Sequence, residues 1–552
     1  MIEDTAIQTV TLIAFLAFAT KRMMNYLHAL QQDDYNNGRL ISWIIKNKVF
    51  DSRVSQFLII LTGITLLTPI SSTLLNIFVF FAFILATYFE KDARKDTKKS
   101  LVLTKRARRI LVIGMIYSAI SAATAFYVSF PATWILTIQL IPLMLIFGNA
   151  TLAPYEIFIQ NKFYNEAQAK LAEINPTVVA ITGSYGKTST KHILAHILKS
   201  YAPTLTTPGS VNTVMGVTRI IREQMEPNHK YFITEMGAYG PGSIARLCEF
   251  TPPDYGIITS IGHAHYERFK SLETVVRAKY ELANSVLSRG GTMIVHEKTL
   301  KYEYSRDIRH QSMDRFIACG EPMREYRKPK TQQEFSYLSP DDLQIRSVEQ
   351  TPKGLCINLL WKEEKYTLRA PLYGVHHGHN IALAFACAMT LGMDAKDIKA
   401  ALAKLPQIRH RLEVKAQVDG SIVIDDAFNS NPPGFRSALH VLGVLARDQQ
   451  ERKKNARAIL ITPGIVELGS AHNETHKTLG LLAAEICDVV LVVNPKRIPS
   501  FIEGFREKNG KTLKEFESFE DAQKWTVANK EDGDVILIEN DLPDIYEGVL
   551  KI

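Results

Sequence analysis

One short stretch, residues 178–190, constrains the fold of this chain more than any other. It begins with the apolar run Val-Val-Ala-Ile, which is typical of a buried strand. Gly183 and Gly186 permit a tight turn, and an apolar-periodic helix is predicted to begin at Lys187. A strand, a glycine loop and a helix in this order direct backbone N–H groups and a helix N-terminus at a phosphate chain. The stretch therefore predicts a phosphate-binding loop of the short G-x-x-G-K-T form.

The same loop supplies groups that suit a nucleotide and its metal ion. We expect the Lys187 ammonium to meet the terminal phosphates and the Thr188 hydroxyl to reach Mg²⁺. The predicted nucleotide-binding residues of this segment are Gly183, Ser184, Tyr185, Gly186, Lys187, Thr188 and Ser189.

Apolar segments dominate the first quarter of the chain. Five of them lie at about residues 5–20, 54–70, 73–89, 110–130 and 132–148. Each approaches the ~17–25 residues of a membrane-spanning helix, although the first is marginal and also fits a re-entrant or interfacial position. Residues 1–150 are thus predicted to form an α-helical membrane unit of about five helices. The alternative is that some of these segments are buried helices of a soluble domain.

Lysine and arginine placement predicts the orientation of this unit. Six cations lie within residues 21–53 and nine within residues 91–109, whereas the connections after the second and fourth segments carry none. Because such loops stay in the cytoplasm, the N-terminus is predicted outside and everything after residue 150 inside. The net charge of +9 is therefore attributed to membrane flanks and not to nucleic-acid binding. Five scattered cysteines fit a reducing compartment.

The remaining residues predict a connector and two α/β domains. Residues 151–175 are polar and helix-compatible. Between residues 176 and 406, β-branched runs at 178–181, 232–234, 255–259 and 292–295 alternate with helical patterns, which predicts a mostly parallel sheet. Residues 324–367 favour antiparallel strands. A Rossmann-like domain is predicted for residues 407–552, with strands near 421–424, 458–461, 489–493 and 535–538.

Further motifs follow the phosphate loop in a fixed order. They lie at residues 207–217, 232–237, 261–269, 277–281, 374–380, 409–414 and 425–432. With them, residues 173–550 resemble the Mur ligase family, ATP-dependent peptide-bond-forming enzymes of cell-wall synthesis, and look most like the branch that adds D-alanyl-D-alanine to a UDP-muramoyl tripeptide. The resemblance implies ATP and Mg²⁺ as cofactors and an acyl-phosphate intermediate. It also implies a UDP- or lipid-linked cell-wall precursor and an amino acid or dipeptide as partners, at a bacterial cytoplasmic membrane.

The resemblance implies roles for single residues. Asn212 matches an asparagine beside the reacting phosphate, and Asn380 matches an adenine-contacting asparagine. Arg411 and Asp426 match residues that reach ATP from the C-terminal domain, so domain closure is expected to complete the site. The implied catalytic residues are Lys187, Asn212, His265 and Lys279, and the implied metal ligands are Thr188, Glu235, His265 and Lys279, the last as a carbamate formed with CO₂. His263, two residues earlier, is the alternative histidine of this motif.

The chain also departs from the family pattern. His377 replaces the first of two paired asparagines, Phe428 replaces a common tyrosine, and Ser260 replaces a frequent asparagine. Where the branch often has Lys-Gly-Ser-Arg, residues 539–544 read Glu-Asn-Asp-Leu-Pro-Asp, so the amine acceptor is left open. A membrane unit stands where the family has a UDP-sugar-binding domain.

Three functions are consistent with these features. The first is a membrane-anchored ATP-dependent amide ligase acting on a peptidoglycan-type precursor. The second is a poly-γ-glutamate-type ligase, from which the chain differs in keeping a full C-terminal domain. The third is an inactive membrane scaffold for wall enzymes, which the intact loop and metal-site residues disfavour.

Overall fold

A computed structural model describes residues 2–540 of the chain except positions 34, 48, 69, 91, 93–100, 129, 263–268, 270, 323–336, 428–429, 467 and 509. Within it the chain divides into two units. The first contains Met1–Asn161 and is called the helical unit. The second, Lys162–Asp541, is called the α/β unit.

Apolar helices build the helical unit. They are α1 (Ile2–Gln32), α2 (Asn37–Asn47), α3 (Arg53–Leu67), α4 (Ser72–Phe89), α5 (Lys105–Val128), α6 (Pro131–Gln139) and α7 (Ile141–Ile174), whose last residues belong to the α/β unit. Four are long and apolar enough to cross a membrane: the Ala6–Gln32 part of α1, α4, α5 and α7. The α3 helix is apolar but shorter. The number of spans therefore stays a prediction.

The last predicted apolar segment, residues 132–148, is not one continuous helix as expected. Helix α6 ends at Gln139 and α7 begins at Ile141. Pro142 explains the break, because it has no N–H to donate to the preceding turn but is tolerated in the first turn of a new helix. Helix α7 then continues through the residues predicted as a connector.

A buried ion-pair cluster joins three segments of the helical unit. The Arg22 guanidinium on α1 lies 3.2 Å from Asp51 Oδ1 and 2.7 Å from Glu90 Oε1. Asn25 also donates to Glu90, over 3.0 Å. Asp51 precedes α3 and Glu90 follows α4, so the cluster fixes the start of one helix and the end of the other against α1.

The α/β unit begins with a nine-stranded sheet in the order β2-β3-β1-β4-β5-β6-β7-β8-β9. Its strands are β1 (Thr177–Thr182), β2 (Thr204–Thr206), β3 (Tyr231–Glu235), β4 (Tyr255–Ile258), β5 (Thr292–His296), β6 (Phe316–Gly320), β7 (Leu343–Thr351), β8 (Gly354–Trp361) and β9 (Glu364–Ala370). Pairings from β2 to β7 are parallel, and β7, β8 and β9 are antiparallel. The predicted parallel sheet with an antiparallel extension is confirmed.

Helices cover both faces of this sheet. They are α8 (Lys187–Lys199), α9 (Val214–Gln224), α10 (Ser243–Phe250), α11 (Leu272–Ser288), α12 (Glu303–His310), α13 (His376–Thr390) and α14 (Ala395–Ala403), with 3₁₀ turns at Glu297–Lys301 and Met313–Arg315. Val179 and Ile181 of β1 pack into the core shared with α8 and α13. Val178 and Ala180 pack into the opposite core, with α9 and α11. The strand is continuously apolar because both of its faces are buried.

A six-stranded sheet follows in the order β10-β11-β15-β12-β13-β14. Its strands are β10 (Glu413–Ala416), β11 (Ile422–Asp426), β12 (Ala458–Thr462), β13 (Val489–Val493), β14 (Thr512–Phe516) and β15 (Val535–Glu539), and its helices are α15 (Pro432–Arg452), α16 (His472–Ile486), α17 (Pro499–Arg506) and α18 (Phe519–Asn529), with 3₁₀ turns at Gly469–Ala471 and Pro495–Arg497. Only the β10–β11 pairing is antiparallel among the described strands. The predicted Rossmann-like arrangement is confirmed.

Candidate functional site

The phosphate loop lies between β1 and α8, at the carboxyl edge of the nine-stranded sheet. Gly183 has a φ of 153°, and a Cβ there would lie 1.9 Å from Thr259 Oγ1. Gly186 has a φ of 83° and lies so close to α13 that a Cβ would come within 2.7 Å of Asn380 Oδ1. Both glycines are therefore required by conformation and by close packing.

The loop is held from the side by the segment after β4. The amides of Ser184 and Tyr185 donate to the Ser260 carbonyl and hydroxyl, over 2.8 and 2.9 Å. The Ser184 hydroxyl donates to the Gly262 carbonyl over 3.1 Å. Ser260, noted in the sequence as a departure from the family, is thus a loop-positioning residue. Ser189 is buried within α8, and its nucleotide contact stays a prediction.

Glu235 is the centre of the polar network beside the loop. It ends β3 and is only 1 % exposed. Its Oε2 accepts a hydrogen bond from Thr188 Oγ1 over 2.9 Å, and its Oε1 accepts one from Asn212 Nδ2 over 3.2 Å. The Tyr239 hydroxyl donates to Asn212 Oδ1 over 2.9 Å and orients the amide. The structure thus brings together three predicted site residues that are far apart in sequence.

Lys191 is a member of this network that the sequence analysis missed. Its ammonium lies 3.4 Å from Glu235 Oε2 and donates to the Gly209 carbonyl over 2.6 Å. It also donates to Thr207 Oγ1 over 3.3 Å. A lysine one turn after Lys187, on the apolar face of an otherwise buried helix, is the sequence signal that could have identified it.

Three cationic side chains, Lys187, Lys191 and Arg411, lie within electrostatic range of the Glu235 carboxylate. The Lys187 ammonium donates to the Gly183 carbonyl over 2.8 Å. Burial lowers the pKa of Lys187, Glu235 opposes this, and the charges of Arg411 and Lys191 lower it further. Lys279 on α11 is 5 % exposed, and burial followed by the Lys187 charge lowers its pKa well below the usual value. A group of basic side chains beside one glycine loop is the arrangement expected of a polyphosphate site.

Arg411 is a further cation of the site, and it interacts with carboxylates of both sheets. Burial lowers the pKa of Arg411, while Asp426 and Glu235 raise it. Because Glu235 ends β3 and Asp426 ends β11, the guanidinium lies within electrostatic range of both sheets. The Leu412 amide, next in the chain, donates to Asp426 Oδ1 over 3.1 Å.

A pair of buried carboxyl groups occupies the ends of β11 and β15. Asp426 and Glu539 are partners in the parallel register, and Glu539 is fully buried. Burial raises the pKa of Asp426 to about 6, and burial followed by the Asp426 charge raises the pKa of Glu539 well above its usual value. Ser430 donates to Glu539 Oε1 over 2.5 Å. Both shifts favour a proton shared by the pair.

Among the remaining predicted residues, the structure describes Asn380 but not His265. Asn380 is 6 % exposed and contacts His377 Nδ1 at 3.3 Å, beside Gly186. Burial lowers the pKa of His377, so this ring is neutral. His265, with His263, and Phe428 lie outside the described residues.

The two sheets of the α/β unit match two different protein-family models. A strand–glycine loop–helix with buried lysines and a carboxylate defines a P-loop nucleotide-binding α/β protein. Residues 181–388 match the Mur ligase middle domain, and residues 410–539 match the Mur ligase, glutamate ligase domain. The chain belongs to the Mur ligase family.

Curated relatives carry the name UDP-N-acetylmuramoyl-tripeptide–D-alanyl-D-alanine ligase. The protein from Mycobacterium tuberculosis is 30 % identical over 337 residues, which are 60 % of this chain and 61 % of the relative. The one from Escherichia coli is 26 % identical over 308 residues, 56 % of this chain and 62 % of the relative. The chain thus spans about three fifths of the length of the curated relatives it matches.

Solved structures give the same fold. A crystal structure of MurF from Acinetobacter baumannii is 25 % identical with a TM-score of 0.56, covering 69 % of this chain and 77 % of that one. The MurF ligase from Thermotoga maritima in complex with ADP is 24 % identical with a TM-score of 0.54, covering 69 % and 80 %. The second likeness concerns the fold alone.

Proposed function

We propose that this protein is an ATP-dependent ligase that forms an amide bond on a peptidoglycan-type precursor through an acyl phosphate. The observation that carries the proposal is the cluster of Lys187, Lys191 and Arg411 around one carboxylate, Glu235, with Lys279 close to Lys187. Such a cluster is costly unless it binds an anion of high charge. Membership of the Mur ligase family, whose members are ATP-dependent ligases, supports ATP as that anion.

Each residue of the network has a defined task in this reaction. The amides at the N-terminus of α8 and the Lys187 ammonium hold the β- and γ-phosphates, while the Ser184 and Tyr185 amides keep the loop fixed on Ser260. Asn212, whose amide is held by Glu235 and Tyr239, is assigned the contact with the reacting phosphoryl group. Arg411 reaches the nucleotide from the second sheet with Asp426, and Asn380 beside Gly186 recognises adenine. Together they orient the reactants and neutralise the charge that develops on the phosphate oxygens.

The reaction has two steps in which this site acts on bound substrates. A substrate carboxylate attacks the γ-phosphorus, the bond to the bridging oxygen breaks, and ADP leaves. An amine then attacks the acyl carbon, phosphate leaves, and the amine loses a proton. Both steps require the cationic cluster to stabilise phosphate oxygens, first in ATP and then in the departing phosphate.

The residues around Thr188 fit Mg²⁺. Its hydroxyl and the Glu235 carboxylate lie 2.9 Å apart, and hard oxygen donors of this kind suit the ion. Thr188, Glu235, His265 and Lys279 would hold it. When bound, Mg²⁺ shields the phosphate charge from the attacking carboxylate. The lowered pKa of Lys279 favours its neutral amine, which is the form that reacts with CO₂ to give the anionic carbamate.

The amine acceptor is expected to differ from that of the relatives. Glu539 begins the segment in which the family branch often carries Lys-Gly-Ser-Arg, and it is paired with Asp426. A protonated acid pair cannot attract the carboxylate of an incoming dipeptide as a lysine does. The proposed acceptor is therefore an amino acid or dipeptide, without restriction to D-alanyl-D-alanine.

The helical unit is proposed to anchor the enzyme in the bacterial cytoplasmic membrane. The cations of the basic segments 21–53 and 90–109 support a cytoplasmic position for the ligase domains, where ATP is available. Cysteine labelling of intact and permeabilised cells tests this. Residues in both basic segments should be labelled only after permeabilisation, and external labelling near Lys98 would overturn the orientation.

The decisive test of the activity is ADP release by the purified full-length protein. It is measured with soluble and lipid-linked muropeptides, each in combination with candidate amines. ADP that depends on both a muropeptide and an amine supports the proposal, and mass spectrometry should find the amide product. ADP released only with glutamate and a glutamate polymer would identify the poly-γ-glutamate-type alternative. No ADP with any combination, in protein that binds ATP, would favour the scaffold.

A further inference from the structure

A groove in the helical unit lies between α3 and α4. Its volume is about 710 Å³, within the ~300–1,000 Å³ typical of ligand pockets. Most of its wall is apolar and aromatic. These wall residues are Val54, Phe57, Phe78, Phe81, Ala82, Leu85, Ala86 and Phe89. A long hydrocarbon chain is the ligand chemistry that such a wall accommodates.

One end of the groove is charged. Arg22, Asp51, Arg53 and Glu90 line it there. Asp51 and Arg53 lie at the start of α3 and Glu90 follows α4, so all the charge is at the same end of these two helices. Arg22 is 3 % exposed and held by both carboxylates, which fixes the position of this end. An ordinary lipid-facing helix surface has no such buried charged terminus.

The charged end also carries cations that have no carboxylate partner. Lys21 donates to the carbonyls of Thr87 and Glu90, over 2.9 and 2.8 Å. Arg53 is exposed, and among the described residues neither it nor Lys21 forms an ion pair. The net charge at this end favours a phosphate-bearing headgroup.

We propose that the groove binds a single-chain anionic lipid of the polyprenyl diphosphate type. The hydrocarbon chain lies along α3 and α4, and the diphosphate meets Lys21 and Arg53. One groove with one charged end fits a lipid with one chain, whereas a phospholipid has two chains to place. The proposal rests on the proposed function in that such a lipid would carry the wall precursor to the ligase domains.

Native mass spectrometry of the full-length protein in detergent tests the site. The probes are a polyprenyl diphosphate, the uncharged polyprenol of the same length, and phosphatidylglycerol. We expect the diphosphate to bind with one-to-one stoichiometry and more tightly than either other lipid. Equal binding of phosphatidylglycerol would mean an ordinary membrane-lipid surface, and a dimer without added lipid mass would mean that a second copy fills the groove. Either result overturns the proposal.

Two matched pairs of variants locate the binding. Ala86→Trp fills the groove and should weaken diphosphate binding at least about tenfold, whereas Ile84→Trp, on the exposed side of the same helix, should not. Ala86→Leu replaces the tryptophan variant if that protein unfolds. Arg53→Gln should weaken binding about fivefold and Arg39→Gln should leave it unchanged. Unaltered binding in both groove variants would overturn the assignment.

The same preparations separate this proposal from the proposed ligase activity. ADP release with a soluble UDP-muropeptide reports on the α/β unit, and lipid mass reports on the groove. Ala86→Trp should reduce ADP release with a lipid-linked substrate while sparing the soluble one. Loss of ADP release with every substrate would contradict the ligase, and the lipid-binding result would still decide the groove.

Discussion

The two units of this protein bury charge in different ways. In the helical unit, Arg22 is matched by two carboxylates, Asp51 and Glu90, at ion-pair distance. In the α/β unit, Glu235 faces a group of cations that it cannot neutralise, including Lys187 and Lys191. The charge of Arg22 is balanced by carboxylates within the fold. The cations near Glu235 keep positive charge that a bound anion can neutralise.

This difference separates a structural role from a functional one. A matched cluster joins segments of chain, so removing one member is expected to reduce stability. An unmatched cluster lowers the pKa of its lysines and raises the energy of the folded state, so removing one cation is expected to cost activity far more than stability. The following predictions test that distinction.

The largest expected effect is on turnover in Lys187→Ala. ADP formation should fall by roughly a thousandfold, because no other described ammonium donates to the phosphate loop. The melting temperature should stay close to that of the unchanged protein. Lys199→Ala, an exposed lysine at the end of the same helix, is the control. Near-normal turnover in Lys187→Ala would rule out the assigned nucleotide site.

The opposite outcome is expected for Arg22→Met in the helical unit. Two buried carboxylates lose their partner, and the free energy of unfolding should fall by about 3 kcal/mol. Thermal unfolding in detergent measures this, with the exposed Arg39→Met as control. An unchanged melting temperature would show that the matched cluster does not stabilise the unit.

Lys279→Ala should reduce ADP formation about a hundredfold, because the proposed carbamate is lost as a metal ligand. Short carboxylates or bicarbonate should restore part of the activity by supplying an anion. They should not rescue Lys187→Ala, where a cation is missing. Full activity of Lys279→Arg would contradict the carbamate, since a guanidinium cannot become an anionic ligand.

Lys191→Met should tighten the binding of a divalent cation in the absence of nucleotide. The ammonium competes for Glu235 Oε2, so its removal is expected to raise the affinity for Mn²⁺ by about tenfold. Electron paramagnetic resonance of free Mn²⁺ gives this affinity directly, and Lys199→Met serves as control. Weaker Mn²⁺ binding would mean that Lys191 positions the carboxylate more than it competes for it.

The smallest expected effect is a pH dependence of stability in the second sheet. The raised pKa values of Asp426 and Glu539 mean that the folded state holds more protons than the unfolded state above about pH 4. Stability should therefore fall as pH rises from 5 to 8, by about 1 kcal/mol or more. Glu539→Gln should flatten this slope, and the exposed Glu503→Gln should not. A slope that is the same in all three proteins would contradict the shared proton.

Local pattern was sufficient for much of the fold. The strand before the phosphate loop, the parallel sheet and the antiparallel strands were predictable. The spacing of apolar residues and the presence of β-branched side chains indicate which positions of a strand are buried. The edge strand β14, Thr-Leu-Lys-Glu-Phe, escaped detection because its solvent-facing residues give no apolar run. The break between α6 and α7 at residue 140 was not predicted. It depends on Pro142, which lies within an otherwise uniform apolar segment.

The sequence by itself determined the phosphate loop, the order of the motifs and the family to which the chain belongs. These depend on residues that are close together along the chain. Only the tertiary structure decided which distant groups share one site: Lys191 with Glu235, Asp426 with Glu539, and the charged end of the groove. Such neighbours come from strand order and helix packing, and no local pattern records them. Electrostatic energy depends on distances in space. The grouping of basic side chains around Glu235 could therefore be recognised only in the folded protein.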